Sequence, residues 1–429
     1  MNIIIIGNGI TGITCARQIR KQNSAATITV ISKESEYFYS RTALMYIYMG
    51  HMKFENTKPY EDWFWTKNRI NLVKATVNGL DAENQTITLE DSRVLSFDKL
   101  VLACGSIPNK LGWPGQNLKG TQGLYSIQDL EEMELNTKNI SSAVVVGGGL
   151  IGIEMAEMLH SRNISVSMLI REKAFWLSVL PLEEAQLVGR HLKEQGINLI
   201  FNTELKEIKS LDQISVDHIL TDAEEKISCQ FVGLTIGVKP NIEFLKNTPL
   251  EIEKGIVVNE FLETNVPNIY AAGDCAQLGS LKTTQAAVEQ LWYTGKMQAE
   301  TLANTICGSR TAYERGIWFN SAKFFDIEFQ SYGKVPSVLP KEQQSFYWEH
   351  KKGKISFRAN FNQSDQSIIG FNFMGIRFRQ VIAERWIREK RSINEVMEKL
   401  SLGWFDPEFS KSHEKEIVQA FILFNENAR

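Results

Sequence analysis

The chain is poor in closely spaced cysteines. Its five, Cys15, Cys104, Cys229, Cys275 and Cys307, form no C-x-x-C and no other tight pair. This excludes a cysteine-built zinc site and a sequence-local redox disulfide, and no metal site is expected. It fits free thiols in a reducing compartment, so a cytoplasmic protein is the expectation. No apolar run approaches the roughly 20 residues that a membrane-spanning helix needs. Met1-Asn2-Ile3 leads straight toward Gly7, without the basic stretch that opens a signal peptide. A charge excess is missing too: 47 Lys and Arg against 50 Asp and Glu leave a net charge of -3. Nothing in that balance points to nucleic acid or an acidic polymer as partner. Low-complexity tracts are absent.

What the chain has is one pattern written twice. Gly7-Asn8-Gly9-Ile10-Thr11-Gly12 and Gly147-Gly148-Gly149-Leu150-Ile151-Gly152 both fit G-x-G-x-x-G. Each follows β-branched residues, Ile3 to Ile6 and Val144 to Val146, which read as the buried strand that such a turn requires. The first glycine permits the tight turn, the second admits a pyrophosphate, and the third lets helix and strand pack closely. The pyrophosphate then lies at the positive end of the following helix. Two such turns on one polypeptide imply two dinucleotides, with electrons passing between them. The 429 residues leave room for two or three domains.

The rest of the pattern extends this reading. Helices are expected over Ile10 to Lys21 and Leu150 to Arg162, with second strands over Thr27 to Ile31 and Ser165 to Ile170. Thr86 to Glu90 and Val94 to Leu95 read as a hairpin or meander. Strands run into glycine turns at Lys99–Gly105, Val232–Gly237 and Asn268–Asp274, and a long helix is expected from about Thr284 to Ile306. Beyond Gly308 aromatics become dense and strand-like alternation runs to Phe373, followed by helical patterns from Phe378 to Leu400. About 20 residues past Gly12, an acid should hold a ribose hydroxyl; Glu34 stands there, although a solvated turn carboxylate is the plainer reading.

Several of these segments resemble the FAD-dependent ferredoxin and rubredoxin reductases, within the pyridine nucleotide-disulfide oxidoreductase superfamily. Val30-Ile31-Ser32-Lys33-Glu34 followed by Tyr39-Ser40-Arg41 is similar to their first flavin segment. Ala103-Cys104-Gly105-Ser106-x-Pro108 resembles their A-T-G-S-x-P strand end, and Gly237-x-x-Pro240-Asn241 their G-x-x-P-N passage. Thr264 through Ala272-Gly273-Asp274 resembles their second flavin motif, whose Asp bonds the ribityl chain. The resemblance spans about residues 1 to 335 and implies an α/β fold. It implies two interleaved Rossmann-like domains, FAD on 1–112 and 241–312 and NAD(P) on 113–240, with a C-terminal α+β interface domain expected over 313–429. Gly7, Gly9, Gly12, Glu34, Arg41, Gly105, Gly273 and Asp274 would then hold FAD. Gly147, Gly149, Gly152 and Arg171 would serve the nicotinamide dinucleotide, Gly237 of the G-x-x-P-N passage would also bind cofactor, and Glu154 would sit at the junction of the two. The long helix near Thr284 would aim its N-terminus at the flavin.

The implied reaction is hydride transfer from NAD(P)H to the flavin and onward to an external acceptor. That acceptor is a small electron-carrier protein of the ferredoxin or rubredoxin type, a nitrite reductase partner, or a small molecule; a homodimer is compatible with all of these. The cofactors carry the chemistry, so no side-chain nucleophile is named. Arg171 at the second strand end favours NADPH, since arginine pairs with a 2′-phosphate, whereas Glu172 keeps NADH open. The departures narrow the function. Phe38 to Gly50 holds no cysteine, so the disulfide chemistry of the wider group is excluded. Tyr46 stands where the ferredoxin reductases carry a lysine that pairs with the junction glutamate. Two other readings stay open. One is a quinone-reducing type II NADH dehydrogenase, resting on the apolar run Ile417 to Phe424; the other is a redox-sensing flavoprotein without rapid turnover. The basic run Arg377 to Arg391 reads either as a solvated surface helix or as a docking face for an acidic carrier.

Overall fold

The computed structural model describes residues 1–279, 287–405, 408 and 411–427. The chain divides into two compact units, one of residues 1–111, 122–138 and 237–315, the other of 112–121, 139–236 and 316–429.

The first unit is built on a parallel sheet in the order Ile269–Ala271, Lys99–Leu102, Asn2–Ile6, Thr27–Ser32, Ile70–Lys74. Ile3, Ile5, Ile28, Ile31, Leu100 and Val101 are essentially inaccessible, because helices cover a parallel sheet on both faces and leave no polar side. Asn2–Ile6 has the second strand on one flank and Lys99–Leu102 on the other. The strand order therefore reverses at the C-terminal end of Asn2–Ile6, the place where open α/β sheets bind ligands. Val77–Asp81, Thr86–Leu89 and Val94–Ser96 form the expected meander as an antiparallel sheet.

The second unit repeats the arrangement. Asn198–Phe201, Ser165–Ile170, Ser142–Val146 and Phe231–Leu234 lie parallel in that order, and the switch falls after Val146. The same unit carries the aromatic C-terminal segment as an antiparallel sheet. Its order is Phe319–Phe324, Ile327–Gly333, Ile368–Met374, Ser356–Asn362, Gln343–Glu349. One face packs Phe357, Phe361, Phe371 and Phe373 against Ala383, Trp386, Val396, Ile417 and Phe421 of helices Gln380–Arg388, Ile393–Glu398 and Glu414–Asn427. From the other face Arg358 reaches Glu184, with Nε to Oε1 at 2.6 Å and Nη2 to Oε2 at 2.8 Å. Glu184 is fully buried and belongs to helix Leu182–Glu194. A buried carboxylate is tolerable only with such a partner.

The helix expected from about Thr284 spans Trp292–Ile306. Thr284 itself lies outside the described residues. Ala287–Val288 pairs antiparallel with Gln277–Leu278, so helical winding begins only after extended Leu291. Apolar periodicity could not reveal that, because a two-residue strand carries too little pattern to be told from the helix that follows.

Candidate dinucleotide sites

The two fingerprints fold alike for the same steric reasons. Gly7 and Gly147 have φ of +112° and +119°, where a side chain would be strained. A Cβ on Gly7 would lie 2.0 Å from the Ala103 carbonyl oxygen, and one on Gly12 only 1.9 Å from that of Gly7. A Cβ on Gly152 would likewise lie 2.4 Å from the Gly147 carbonyl oxygen. Around Gly9, by contrast, there is open space. Gly9 and Gly149 cap helices Ile10–Gln22 and Leu150–Ser161; neither end has a side-chain cap or an acid in its first turn. Both turns thus present unpaired backbone N–H groups beside a cleared space, which suits a pyrophosphate.

Around the first turn the chain gathers a polar network from five stretches, 34–41, Ser106, 125–127, Asp274 and Gln290. Arg41 grips Glu34 with two hydrogen bonds, at 3.0 Å to Oε1 and 2.7 Å to Oε2. Tyr39 Oη and the Ile127 backbone N–H also donate to Oε1, the latter at 3.1 Å. Oε1 is therefore saturated, whereas Oε2, with a single donor, keeps a lone pair for a ribose hydroxyl. Burial opposes the charge of Arg41, but Glu34, Tyr39 and Tyr125 together hold its pKa above the ordinary value. Its guanidinium lies 4.2 Å from the Tyr125 ring centroid.

Asp274 receives Ser106 Oγ at 3.1 Å and Tyr125 Oη at 3.4 Å, both on Oδ2. Tyr125 Oη also accepts the Ser106 backbone N–H at 2.9 Å, and Gln290 Nε2 donates to Ser106 Oγ at 2.9 Å. Burial raises the Asp274 pKa, against the pull of Ser106, Arg41 and Tyr125. Among the described residues no other side chain donates to Oδ1, so a ligand hydroxyl can bind there. The preceding Gly273 packs onto the fingerprint helix: its Cβ would come 2.5 Å from Thr11 Oγ1, and its N–H donates to buried Gln298 at 2.7 Å. Gly105 and Gly237 lie in one small ladder, Ser106–Pro108 against Val238–Pro240. The Gly105 carbonyl accepts Asn241 N–H at 2.9 Å, and the Gly237 carbonyl accepts Asn109 N–H at 3.0 Å. The structure therefore brings Gly7, Gly9, Gly12, Glu34, Arg41, Gly105, Gly237, Gly273 and Asp274 into one unit. Cys275 is buried and directs its thiol to the Leu102 carbonyl at 3.3 Å.

The second turn is barer. Gly148 stands where the first turn has Asn8, because a Cβ there would press on Ile170 at 3.1 Å. Arg171 leaves the strand end with 72% of its side chain exposed, 3.7 Å from Glu172. Glu154, in the first turns of the helix, has its pKa pushed up to about 7 by burial and then by Glu157, with no cation opposing the shift. Trp176, which the sequence reading passed over, places its indole beside Gly149.

Sequence reasoning also missed Ser106, Tyr125 and Gln290. Tyr125 had a local signal, for Ser126 and Asp129 form a capping box that fixes the start of helix Ile127–Asn136 directly after it. Gln290 had none. Within the basic run three residues pair with acids: Arg377 with Glu328, Arg388 with Glu384 at 3.9 Å, and Arg391 with Glu389 at 2.9 Å. Of the apolar run near the C-terminus, Ile417 and Phe421 turn inward to the core, as do Trp386 and Trp404. No described helix is long and apolar enough to cross a membrane. His350, His413 and Glu416 hold three potential ligand atoms within 4.8 Å of one another. However, the Lys352 N–H donates to His350 Nδ1 at 3.2 Å, which puts the ring proton on Nε2, the nitrogen facing Glu416.

Comparison with known proteins agrees with this geometry. Residues 1–290 match the pyridine nucleotide-disulphide oxidoreductase family. The chain is 29% identical over 337 residues to an assimilatory nitrate reductase electron transfer subunit of Bacillus subtilis (strain 168), covering 78% of this chain and 42% of that one. It is 27% identical over 313 residues to a rubredoxin-NAD(+) reductase of Pseudomonas putida, covering 72% and 81%. A ferredoxin reductase from Rhodopseudomonas palustris shares the fold, with a TM-score of 0.79 at 21% identity over 87% of this chain and 91% of the other. The chain spans about two fifths of the length of the first of these relatives. With its family match covering both fingerprints and Asp274, the chain belongs to the pyridine nucleotide-disulphide oxidoreductase family.

Proposed function

We propose that the protein is a FAD-dependent NAD(P)H oxidoreductase that passes electrons to an external carrier. The observation that carries this is the pairing of two uncapped fingerprint helices, one of them facing the Asp274–Ser106–Tyr125 network. When bound, FAD supplies the hydride acceptor for the nicotinamide and the electron donor for the carrier. The chain's residues do the holding. Gly7, Gly9 and Gly12 clear the path to the N–H groups of helix Ile10–Gln22 for the FAD pyrophosphate, and Glu34 Oε2 takes an adenosine ribose hydroxyl. Asp274 Oδ1 takes a hydroxyl of the ribityl chain, and Arg41 keeps Glu34 oriented through its two hydrogen bonds. Gly147, Gly149 and Gly152 do the same for NAD(P)H, and exposed Arg171 selects the 2′-phosphate of NADPH. Glu154, largely protonated below about pH 7, adds little fixed charge beside the nicotinamide dinucleotide there.

The absence of cysteine from Phe38 to Gly50 supports an acceptor outside the chain, and the named relatives support a small redox protein or a nitrate reductase as that acceptor. Residues 1–112 with 241–312 serve as the flavin domain, 113–240 as the nicotinamide domain and 313–429 as the interface domain, except that 122–138, with Tyr125 and Ile127, and Gly237 join the flavin-side unit. Five free thiols support a cytoplasmic site of action. Anaerobic mixing of the flavin-loaded chain with NADPH or NADH tests the reading. Flavin bleaching is expected with both and faster with NADPH; a chain that takes up no FAD contradicts it.

A further inference from the structure

Trp176 is a bulky residue with φ of +49°, in the left-handed region that large side chains avoid. Such strain persists only where the surroundings over-determine it, and it concentrates at ligand sites. Here the surroundings are specific. The Trp176 carbonyl accepts the N–H groups of Val179 at 3.0 Å and Leu180 at 2.9 Å, fixing the turn. Its indole sits edge-on to Phe324, with ring centroids 6.2 Å apart at 75°, and Phe324 is fully buried. Phe175 packs on that same ring from a buried position, at 5.9 Å and 78°. The half-buried indole is thereby turned toward the second glycine of the fingerprint: Nε1 is the atom nearest to a Cβ built on Gly149, at 3.8 Å. Gly149 is the uncapped start of helix Leu150–Ser161, and among the described residues Nε1 makes no hydrogen bond.

We infer that Trp176 is a ligand-binding residue whose indole N–H donates to the pyrophosphate of the nicotinamide dinucleotide. It adds a side-chain donor to the backbone N–H groups of the helix and closes one side of the turn with an apolar ring. The inference rests on the proposed NAD(P)H site and extends it. An indole has one donor and no acceptor, which suits an anion and no other polar part of a dinucleotide so well.

Equilibrium binding of ADP-ribose and of AMP to the flavin-loaded chain tests this, by calorimetry and without turnover. Trp176→Phe keeps the ring and removes the donor. It should weaken ADP-ribose binding about tenfold or more, the scale of a hydrogen bond to a charged group, and change AMP binding much less. Trp176→His keeps a ring N–H and tolerates positive φ better, so it should restore part of the affinity, with FAD content unchanged throughout. Equal ADP-ribose affinity in Trp176→Phe, or tighter binding in Trp176→Ala because the ring blocks the site, overturns the inference and leaves the NAD(P)H site standing. Failure of the unaltered chain to bind ADP-ribose overturns both.

Discussion

Around Gly7 the chain supplies Glu34, Arg41, Ser106, Tyr125, Asp274 and Gln290, hydrogen-bonded to one another and drawn from segments far apart in sequence. Around Gly147, on a turn of the same kind, it supplies an exposed Arg171 and the edge of Trp176. The backbone chemistry of the two turns is the same, so the difference lies in what each must do with its ligand. A site that holds its side chains in place beforehand spends little ordering entropy on binding and retains its ligand. A bare site that meets its ligand through a few exposed groups lets it leave. The contrast is what one retained flavin and one exchanging nicotinamide dinucleotide require.

The most damaging change to this contrast should be Gly12→Ala. Its Cβ would meet the Gly7 carbonyl oxygen at 1.9 Å, a backbone contact that cannot yield cheaply. A destabilisation at or above the top of the roughly 1–3 kcal/mol overpacking range, with no flavin retained after purification, is expected from thermal unfolding and absorbance. Gly149→Ala, whose Cβ would meet only Trp176 at 3.8 Å, should fold and keep its flavin. Equal damage from both would break the comparison. Next comes Asp274→Asn, which should weaken FAD retention by roughly tenfold to a hundredfold, the value of a hydrogen bond to a charged group, measured by FAD titration. Arg171→Ala should raise the dissociation constant for NADPH about tenfold while that for NADH barely moves; equal losses would remove Arg171 from cofactor choice.

A subtler effect concerns pH. The folded-state pKa of Glu154 is raised from 4.5 to about 7, so the folded chain holds this proton more tightly than the unfolded chain does. Stability should fall as pH rises from about 4.5 to 7, and no further above that through this group. Glu154→Gln should abolish that part of the slope, read as melting temperatures at pH 5 and pH 8. The smallest effect is expected from Tyr125→Phe, which loses its bonds to Ser106 and Asp274 and should cost about 1 kcal/mol in flavin affinity.

The residues that sequence made legible are those whose constraint is local. Gly7, Gly9 and Gly12 are written by one turn, and Asp274 by the strand end before it. The network that distinguishes the two sites was not legible, because it depends on tertiary pairing. Gln290 reaches Ser106, and Ile127 reaches Glu34, only once the parallel sheet has brought their segments together. The helix placed near Thr284 starts at Trp292 for a similar reason, since Ala287–Val288 is claimed by a strand partner. Trp176 escaped because its meaning lies in a backbone angle, which composition does not show.

The most direct measurement is an anaerobic titration of the flavin-loaded chain with NADPH, followed through flavin absorbance and then by gel filtration. The account predicts stoichiometric bleaching, after which oxidised NADP leaves and FAD stays with the protein. Flavin that remains oxidised with excess NADPH, or FAD that separates as readily as the nicotinamide, would contradict it.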